Sequence, residues 1–332
     1  MTGADAPSIL RGARRAARVA AMAQLACLLE ASAPKPGNVS PGCHFADARY
    51  EDFLAGAVAI GEPFAGAGTR PLGETVRLAV EASSRWTRSN TNLGIILLLA
   101  PIARAALLGS ASSPLRSALR GVLRALVLQA TTIDDARSVY SAIHTAAPGG
   151  LGRTDEQDVA GEPTMTLLEV MQLARDRDGI AREYSTGFQV TFEAAAPALD
   201  KARGDGLPWE DSVVEAYLTV LAEHLDTHVI RRGGVELATN VSQLARGALE
   251  AGGVRSTAGR QAVRDMDRAL REPVHAANPG TTADIIAAAI FVVLLGGGWR
   301  AGQAGPAGPA GRAGQAEQAE QAVQGGTDAT AW

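Results

Sequence analysis

The chain has 332 residues, of which 46% are hydrophobic but only 4% aromatic. Its net charge of −4 and pI near 5.8 exclude the electrostatic footprint of a nucleic-acid binder, and no element shows a basic stripe with interleaved aromatics. Two cysteines, Cys27 and Cys43, give neither a disulfide framework nor metal-site spacing, which favours a reducing, cytoplasmic setting.

Ala and Leu supply most of the apolar surface, and both favour helices where strands prefer β-branched and aromatic residues. The first helix is expected from Ser8, as N-cap, to Glu30, with Val19, Met22, Ala23, Ala26 and Leu29 on one face. Its basic start mimics a secretory signal, but Gln24 and Glu30 interrupt the apolar run. A proline- and glycine-rich loop, "SAPKPGNVSPGCHFADAR", follows, then a helix near Tyr50–Ile60. "GETVRLAVEASSRWT" predicts a helix with Val76, Val80 and Trp86 inward. "TNLGIILLLAPIARAALLG" predicts an apolar helix kinked or broken at Pro101.

In "SPLRSALRGVLRALVLQA" the apolar spacing is helical, with Arg116, Arg120 and Arg124 on a solvated face. Thr132 and Asp135 form a capping pair opening "IDDARSVYSAIHTA". A glycine-rich acidic loop leads to "MTLLEVMQLARDRDGIAREY", read as one amphipathic helix with Leu167, Met171 and Ala174 inward. "DSVVEAYLTVLAEHLDTHVIRRGG" reads as another single helix. Val214, Tyr217, Leu218, Leu221, Leu225 and Val229 line its face, and Gly233-Gly234 stop it.

"IIAAAIFVVLL", Ile285 to Leu295, is about half the length a bilayer requires and predicts a buried central helix instead. After Trp299 the Ala/Gly/Gln/Pro composition cannot offset chain entropy. The expected fold is all-α. It is a single multi-helix domain over residues 5–299 with a disordered tail over 300–332.

Four polar stretches interrupt the helices: "APKPGNVS", "SNTNLG", "LDTHVIRRGG" and "ANPGTTADII". Each alone makes an ordinary turn or cap; Thr281 or Thr282 after Pro279-Gly280, for example, is a good N-cap. Together they suggest phosphate handling, because a helix N-terminus after a small-residue turn offers free backbone N–H groups. Lys35 and Arg232 can neutralise phosphate charge, while Asp226 and Asp284 can hold Mg²⁺. Competing motifs are weaker. His224 and His228 stand four apart without the Glu of a zinc protease, and no phosphate-binding loop or nucleophile elbow is present. Cys43 beside His44 is a poor thiolate pair, since sequence neighbours seldom face each other.

In this order the four stretches resemble the triphosphoribosyl-dephospho-CoA synthase family, from about Ala26 to Leu295. The resemblance rests on Lys35-Pro36-Gly37 followed by Asp47, and on Asn90-Thr91 with Gly94. It continues through Asp226-Thr227 with Arg232-Gly233-Gly234, and Asn278-Pro279-Gly280 with Ala283-Asp284. Where the synthases typically carry Asn-Thr-His-Lys-Gly, this chain has Asn90-Thr91-Asn92-Leu93-Gly94, so a basic pair is lost. Through "TNLG" and "TLLEVMQLARDRDGIAREY" the chain also resembles a branch associated with one-carbon coenzyme metabolism.

The resemblance implies an all-helical transferase that moves a triphosphoribosyl group from ATP to a ribose hydroxyl of dephospho-CoA, assisted by Mg²⁺, and releases adenine. In it Lys35 and Arg232 would take phosphate charge, and Asp226 and Asp284 would hold Mg²⁺, one of them serving as base. Asn38, Asn90 and Asn278 would orient substrate, while Gly37, Gly94 and Gly280 permit close backbone approach. Asp47 and Glu74 are further contacts, and Pro36, Thr91, Asn92, Thr227, Gly233, Gly234 and Thr281 complete the binding set. No nucleic acid or membrane is implied, and a homodimer is left open. Two rivals stand beside this reading. One is a transferase on another phosphorylated substrate of pterin or furan coenzyme synthesis; the other is a non-catalytic nucleotide-binding protein.

Overall fold

Ala- and Leu-rich periodicity is realised as a near-continuous series of helices. The computed structural model describes residues 6–87, 91–109, 116–149, 152–271 and 277–298. Asn90 and the tail expected over 300–332 lie outside the described residues. In chain order the helices are α1 (Ala6–Ser32), α2 (Tyr50–Ala59), α3 (Gly61–Ala65), α4 (Leu72–Ser84), α5 (Leu93–Leu108), α6 (Arg116–Val122) and α7 (Ile133–Ala146). They continue as α8 (Leu167–Ala174), α9 (Gly179–Thr186), α10 (Ala196–Gly204), α11 (Trp209–Glu223), α12 (Thr227–Glu250), α13 (Thr257–Arg271) and α14 (Gly280–Leu295). π-helical turns occupy Leu123–Leu128 and Val190–Ala195. Among the described residues no strand forms, only an isolated bridge between Ser40 and Cys43.

Two predominantly apolar helices, α5 and α14, form the centre, as helices with so little polar surface must be buried. α14 packs against α1, α5, α10 and α11, and its only charged residue is Asp284. Among the described residues no helix is long and apolar enough to cross a membrane.

Pro101 does not break α5, which runs unbroken from Leu93 to Leu108. Proline lacks the N–H that would bond the carbonyl four residues earlier. That carbonyl belongs to Leu97, and the buried Tyr184 hydroxyl donates to it at 2.7 Å. A side chain from α9 therefore supplies the missing bond.

Other departures trace to acidic caps. The stretch read as one helix over 165–184 is divided because Asp178 accepts from Ile180 N (2.8 Å) and Ala181 N (3.0 Å), opening α9. Likewise the helix expected through Leu225 ends at Glu223, and Asp226 opens α12. Leu225 is left exposed, and His224 falls in the turn after α11 while His228 lies in the first turn of α12. The stop expected at Gly233-Gly234 is present as an interruption of α12: Gly234, at φ 84° and ψ 171°, is non-helical, and two helical segments meet there across a kink. Neither Thr281 nor Thr282 caps α14, because both lie within its first turn. Ser8 likewise falls inside α1. Val76 and Val80 point inward as expected, but Trp86 is 73% exposed beyond the end of α4. The Thr132–Asp135 capping box opens α7 as expected. On the arginine face, Arg116 and Arg120 are paired with Asp200 and Glu193.

Candidate active site

The starts of α9, α12 and α14 are tied into one knot. Asp226 Oδ1 accepts from His228 N (2.9 Å) and Val229 N (3.0 Å), satisfying the first turn of α12. Its Oδ2 accepts from Thr282 N (2.7 Å) and Thr282 Oγ1 (2.8 Å), satisfying the first turn of α14. One buried carboxylate thus serves two helix N-termini, where negative charge is favoured by both dipoles. Thr227 Oγ1 accepts from Gly179 N (2.9 Å) and lies 3.1 Å from Thr281 Oγ1, adding α9 to the knot.

The loop over 33–49 turns its lysine inward. Lys35 is 1% exposed, pairs with Glu30 Oε1 at 2.9 Å, and donates to the carbonyls of Glu30 and Ala33. Those partners occupy its three N–H groups, so Lys35 neutralises Glu30 rather than a phosphate, correcting the expectation. Neighbouring residues are held from two sides. Tyr217 of α11 donates to Pro36 O (2.9 Å) and accepts from Asn38 Nδ2 (3.0 Å). From α13, Asp267 accepts from Gly37 N (2.8 Å) and Arg271 donates to Asn38 O (2.8 Å). Gly37 sits at φ +75°, and a β-carbon there would lie 3.0 to 3.2 Å from Leu270 and Pro279. Close approach is required at Gly37, but to protein rather than to substrate.

Beside this scaffold opens a cavity of about 1470 Å³. The N-terminal turns of α5 and α14 reach it through Thr91, Asn92, Gly94, Asn278, Gly280, Thr281 and Asp284. Asp284 lies directly against Gly94, leaving no room for a side chain at that position. Burial, together with the negative charges of Glu30 and Asp226, pushes the Asp284 carboxyl well above the usual aspartate range, and Arg231 opposes this only in part. Arg231 Nη1 is held by Asp178 Oδ2 at 2.6 Å.

His228 also lines the cavity, with Nδ1 2.9 Å from Asn278 O. A carbonyl oxygen can only accept, so Nδ1 carries the proton and the neutral ring presents Nε2 as an acceptor. Burial holds its pKa below the ordinary histidine value, which keeps the ring neutral at pH 7. Three buried polar atoms of cavity-lining residues have no protein partner among the described residues: Thr91 Oγ1, Arg231 Nε and Asn278 Oδ1. Leaving such atoms unpaired costs about 1–3 kcal/mol each.

The cavity gathers Asn38, Asp47, Thr91, Asn92, Gly94, Arg232, Asn278, Gly280, Thr281 and Asp284 from the expected set. It does not gather Lys35, Pro36, Gly37, Glu74, Asp226, Thr227, Gly233 or Gly234. Glu74 stands half-buried in the first turn of α4, and Gly233 and Gly234 lie exposed on α12. The Asn38 amide is committed to Tyr217 and Pro36. Sequence reasoning missed Glu30, Asp178 and Arg231, and it weighed His228 only as a metal ligand. Asp178 lies 53 positions from its partner Arg231, a pairing that no local pattern signals. Among the described residues, no group of three or more His, Cys, Asp or Glu is placed to hold a metal ion.

Residues 16–303 match the family described as ATP:dephospho-CoA triphosphoribosyl transferase. A Pseudomonas syringae pv. tomato protein assigned as a 2-(5''-triphosphoribosyl)-3'-dephosphocoenzyme-A synthase is 32% identical over 34% of this chain and 38% of its own length. An Azotobacter vinelandii protein of the same assignment is 31% identical over 43% of this chain and 48% of its own. The chain thus spans less than half of these two curated relatives. The crystal structure of an Archaeoglobus fulgidus protein, assigned as a triphosphoribosyl-dephospho-CoA synthase, superposes with a TM-score of 0.57 at 30% identity. It covers 74% of this chain and 100% of that one. The polar stretches that converge on one cavity and the extent of the family match agree: this chain belongs to the ATP:dephospho-CoA triphosphoribosyl transferase family.

Proposed function

We propose that the cavity transfers a triphosphoribosyl unit from ATP to a ribose hydroxyl of dephospho-CoA, releasing adenine. The observation that carries this reading is the lining of the cavity, which gathers Thr91, Arg231, Arg232 and Asn278 with Asp284. These are hydrogen-bonding groups prepared for a polar ligand, on helix N-terminal turns that suit phosphate. Family membership supplies the reaction class.

In this reading the bond between ribose C1′ and adenine N9 breaks, and its electron pair leaves with the base, which takes up a proton. The bond between C1′ and the acceptor oxygen forms as the hydroxyl loses its proton. His228 Nε2 accepts that proton, since its tautomer is fixed by Asn278 O and its ring is neutral at pH 7. Arg231 and Arg232 take phosphate charge in place of Lys35, and Thr91 and Asn278 orient the donor.

The donor set suits a hard cation at Asp284. No hydrogen bond among the described residues engages this carboxyl, and Mg²⁺ commonly takes one or two carboxylates plus substrate phosphates. Mg²⁺ would there supply charge neutralisation for the triphosphate. Asp226 does not fit that role, because among the described residues the four hydrogen bonds of its carboxylate go to helix starts.

The test is incubation of purified protein with ATP, MgCl₂ and dephospho-CoA, followed by chromatography and mass measurement. Adenine should appear in step with an acceptor heavier by one triphosphoribosyl group. Absence of adenine in the presence of both substrates would overturn the reading.

A further inference from the structure

The cavity is larger than the roughly 300–1,000 Å³ usual for one ligand. Besides the helix starts of α5 and α14, α7, α8 and the segment over 152–160 line it as a second pole. That segment is anchored rather than loose. Tyr140 donates to Gln157 O at 2.5 Å, and His144 Nε2 lies 2.8 Å from Val159 O. It is folded around Asp158, which accepts from Thr154 N (2.7 Å) and Ala160 N (2.8 Å).

Two arginines line this pole, Arg153 on the anchored segment and Arg177 in the turn before α9. Both are exposed, and neither enters an ion pair among the described residues. Of the carboxylates that line this pole, Asp158, Asp176 and Asp178 each have a partner, Asp178 being held by Arg231. Asp158 is spent on two backbone N–H groups, and both arginines act on it only from a distance. Asp176 lies 3.8 Å from Arg175. Beneath the arginines the wall is apolar, built from Val139, Ile143, Val170 and Met171. Two arginines without an ion pair above an apolar wall suit a ligand with phosphates at one end and a long uncharged arm at the other.

We propose that this second pole is the acceptor subsite: Arg153 and Arg177 bind the diphosphate of a coenzyme-A-type ligand, and its uncharged arm lies along Ile143 and Met171. The proposal rests on the function read above for its choice of ligand, and on the geometry of this pole for its location. It separates donor and acceptor within one cavity, with ATP phosphates at Arg231 and Arg232 and acceptor phosphates at Arg153 and Arg177.

The experiment is calorimetric titration of wild type and the double variant Arg153→Gln/Arg177→Gln with 3′-dephospho-CoA, 4′-phosphopantetheine and ATP. Both side chains are exposed, and circular dichroism checks that the variant keeps its helical content. The double variant should bind dephospho-CoA about tenfold more weakly, phosphopantetheine also more weakly, and ATP unchanged. Equal affinity of both proteins for dephospho-CoA, or a loss confined to ATP, would overturn the assignment, as would no binding of dephospho-CoA to wild type. If wild type binds dephospho-CoA through these arginines yet releases no adenine, the subsite stands and the proposed reaction falls. If adenine is released and the variant keeps its KM for dephospho-CoA, the reaction stands and the subsite falls.

Discussion

The Asp284 carboxylate rests on the Gly94 backbone, so that a β-carbon at position 94 would collide with Oδ2. Because backbone conformation at Gly94 is helical, alanine there meets no torsional objection, only the carboxylate. Gly94→Ala should therefore fold with normal helical content while displacing Asp284 into the cavity. Steady-state kinetics should show a fall in kcat of about tenfold or more, since small misplacements of catalytic groups are costly. Unchanged kcat would show that Asp284's seat on α5 is irrelevant to turnover.

Asp284→Asn separates chemistry from stability. The folded-state pKa of Asp284 is raised by burial and by Glu30 and Asp226, so the folded chain holds this proton longer than the unfolded chain does. This group favours the fold most below the ordinary aspartate pKa. Its contribution is lost as pH climbs from there through the raised value. The variant minus wild-type difference in unfolding free energy should thus grow in the variant's favour as pH rises, measured by urea titration at several pH values without Mg²⁺. Turnover, by contrast, should be abolished.

Asp226→Ala should behave in the opposite way. It removes the caps of α12 and α14 together, worth about 1–4 kcal/mol by the usual cost of two lost N-caps. Differential scanning calorimetry should show a lower Tm, accompanied by reduced activity because His228 and Asn278 are carried on the same two helix starts. A variant with wild-type Tm would contradict the double-cap role.

Lys35→Met leaves Glu30 buried without its counter-ion. Breaking such a pair costs about 3–5 kcal/mol, whereas replacing both members is far milder. Chemical denaturation should show a large loss for Lys35→Met and partial recovery in Lys35→Met/Glu30→Gln. A loss of ATP binding with full stability would instead restore Lys35 to the phosphates.

Much of the fold was legible because apolar residues recur at helical spacing, and the long apolar runs of α5 and α14 announced their own burial. Asp284 was legible as the only charge in the α14 run, and Asn278, Gly280 and Thr91 as polar residues at helix starts. The breaks before α9 and α12 were not, because apolar periodicity continues across Asp178 and Asp226 while their carboxylates compete for backbone N–H groups. Nor was the inward turn of Lys35, which depends on a glutamate across the end of α1 and on a tyrosine 181 positions from Pro36. Contacts between distant segments leave no periodic trace.

The bond between Tyr184 and the Leu97 carbonyl joins residues 87 positions apart. It makes the middle of α5 dependent on chain that is synthesised well after it. The central helix can coil early, but its backbone is complete only once α9 has docked. A non-local step of this kind must repay loop-closure entropy before it stabilises anything. Replacing Tyr184 by Phe would therefore leave the early helix untouched and weaken only the late, consolidated state, which should show as faster unfolding with little change in the rate of folding.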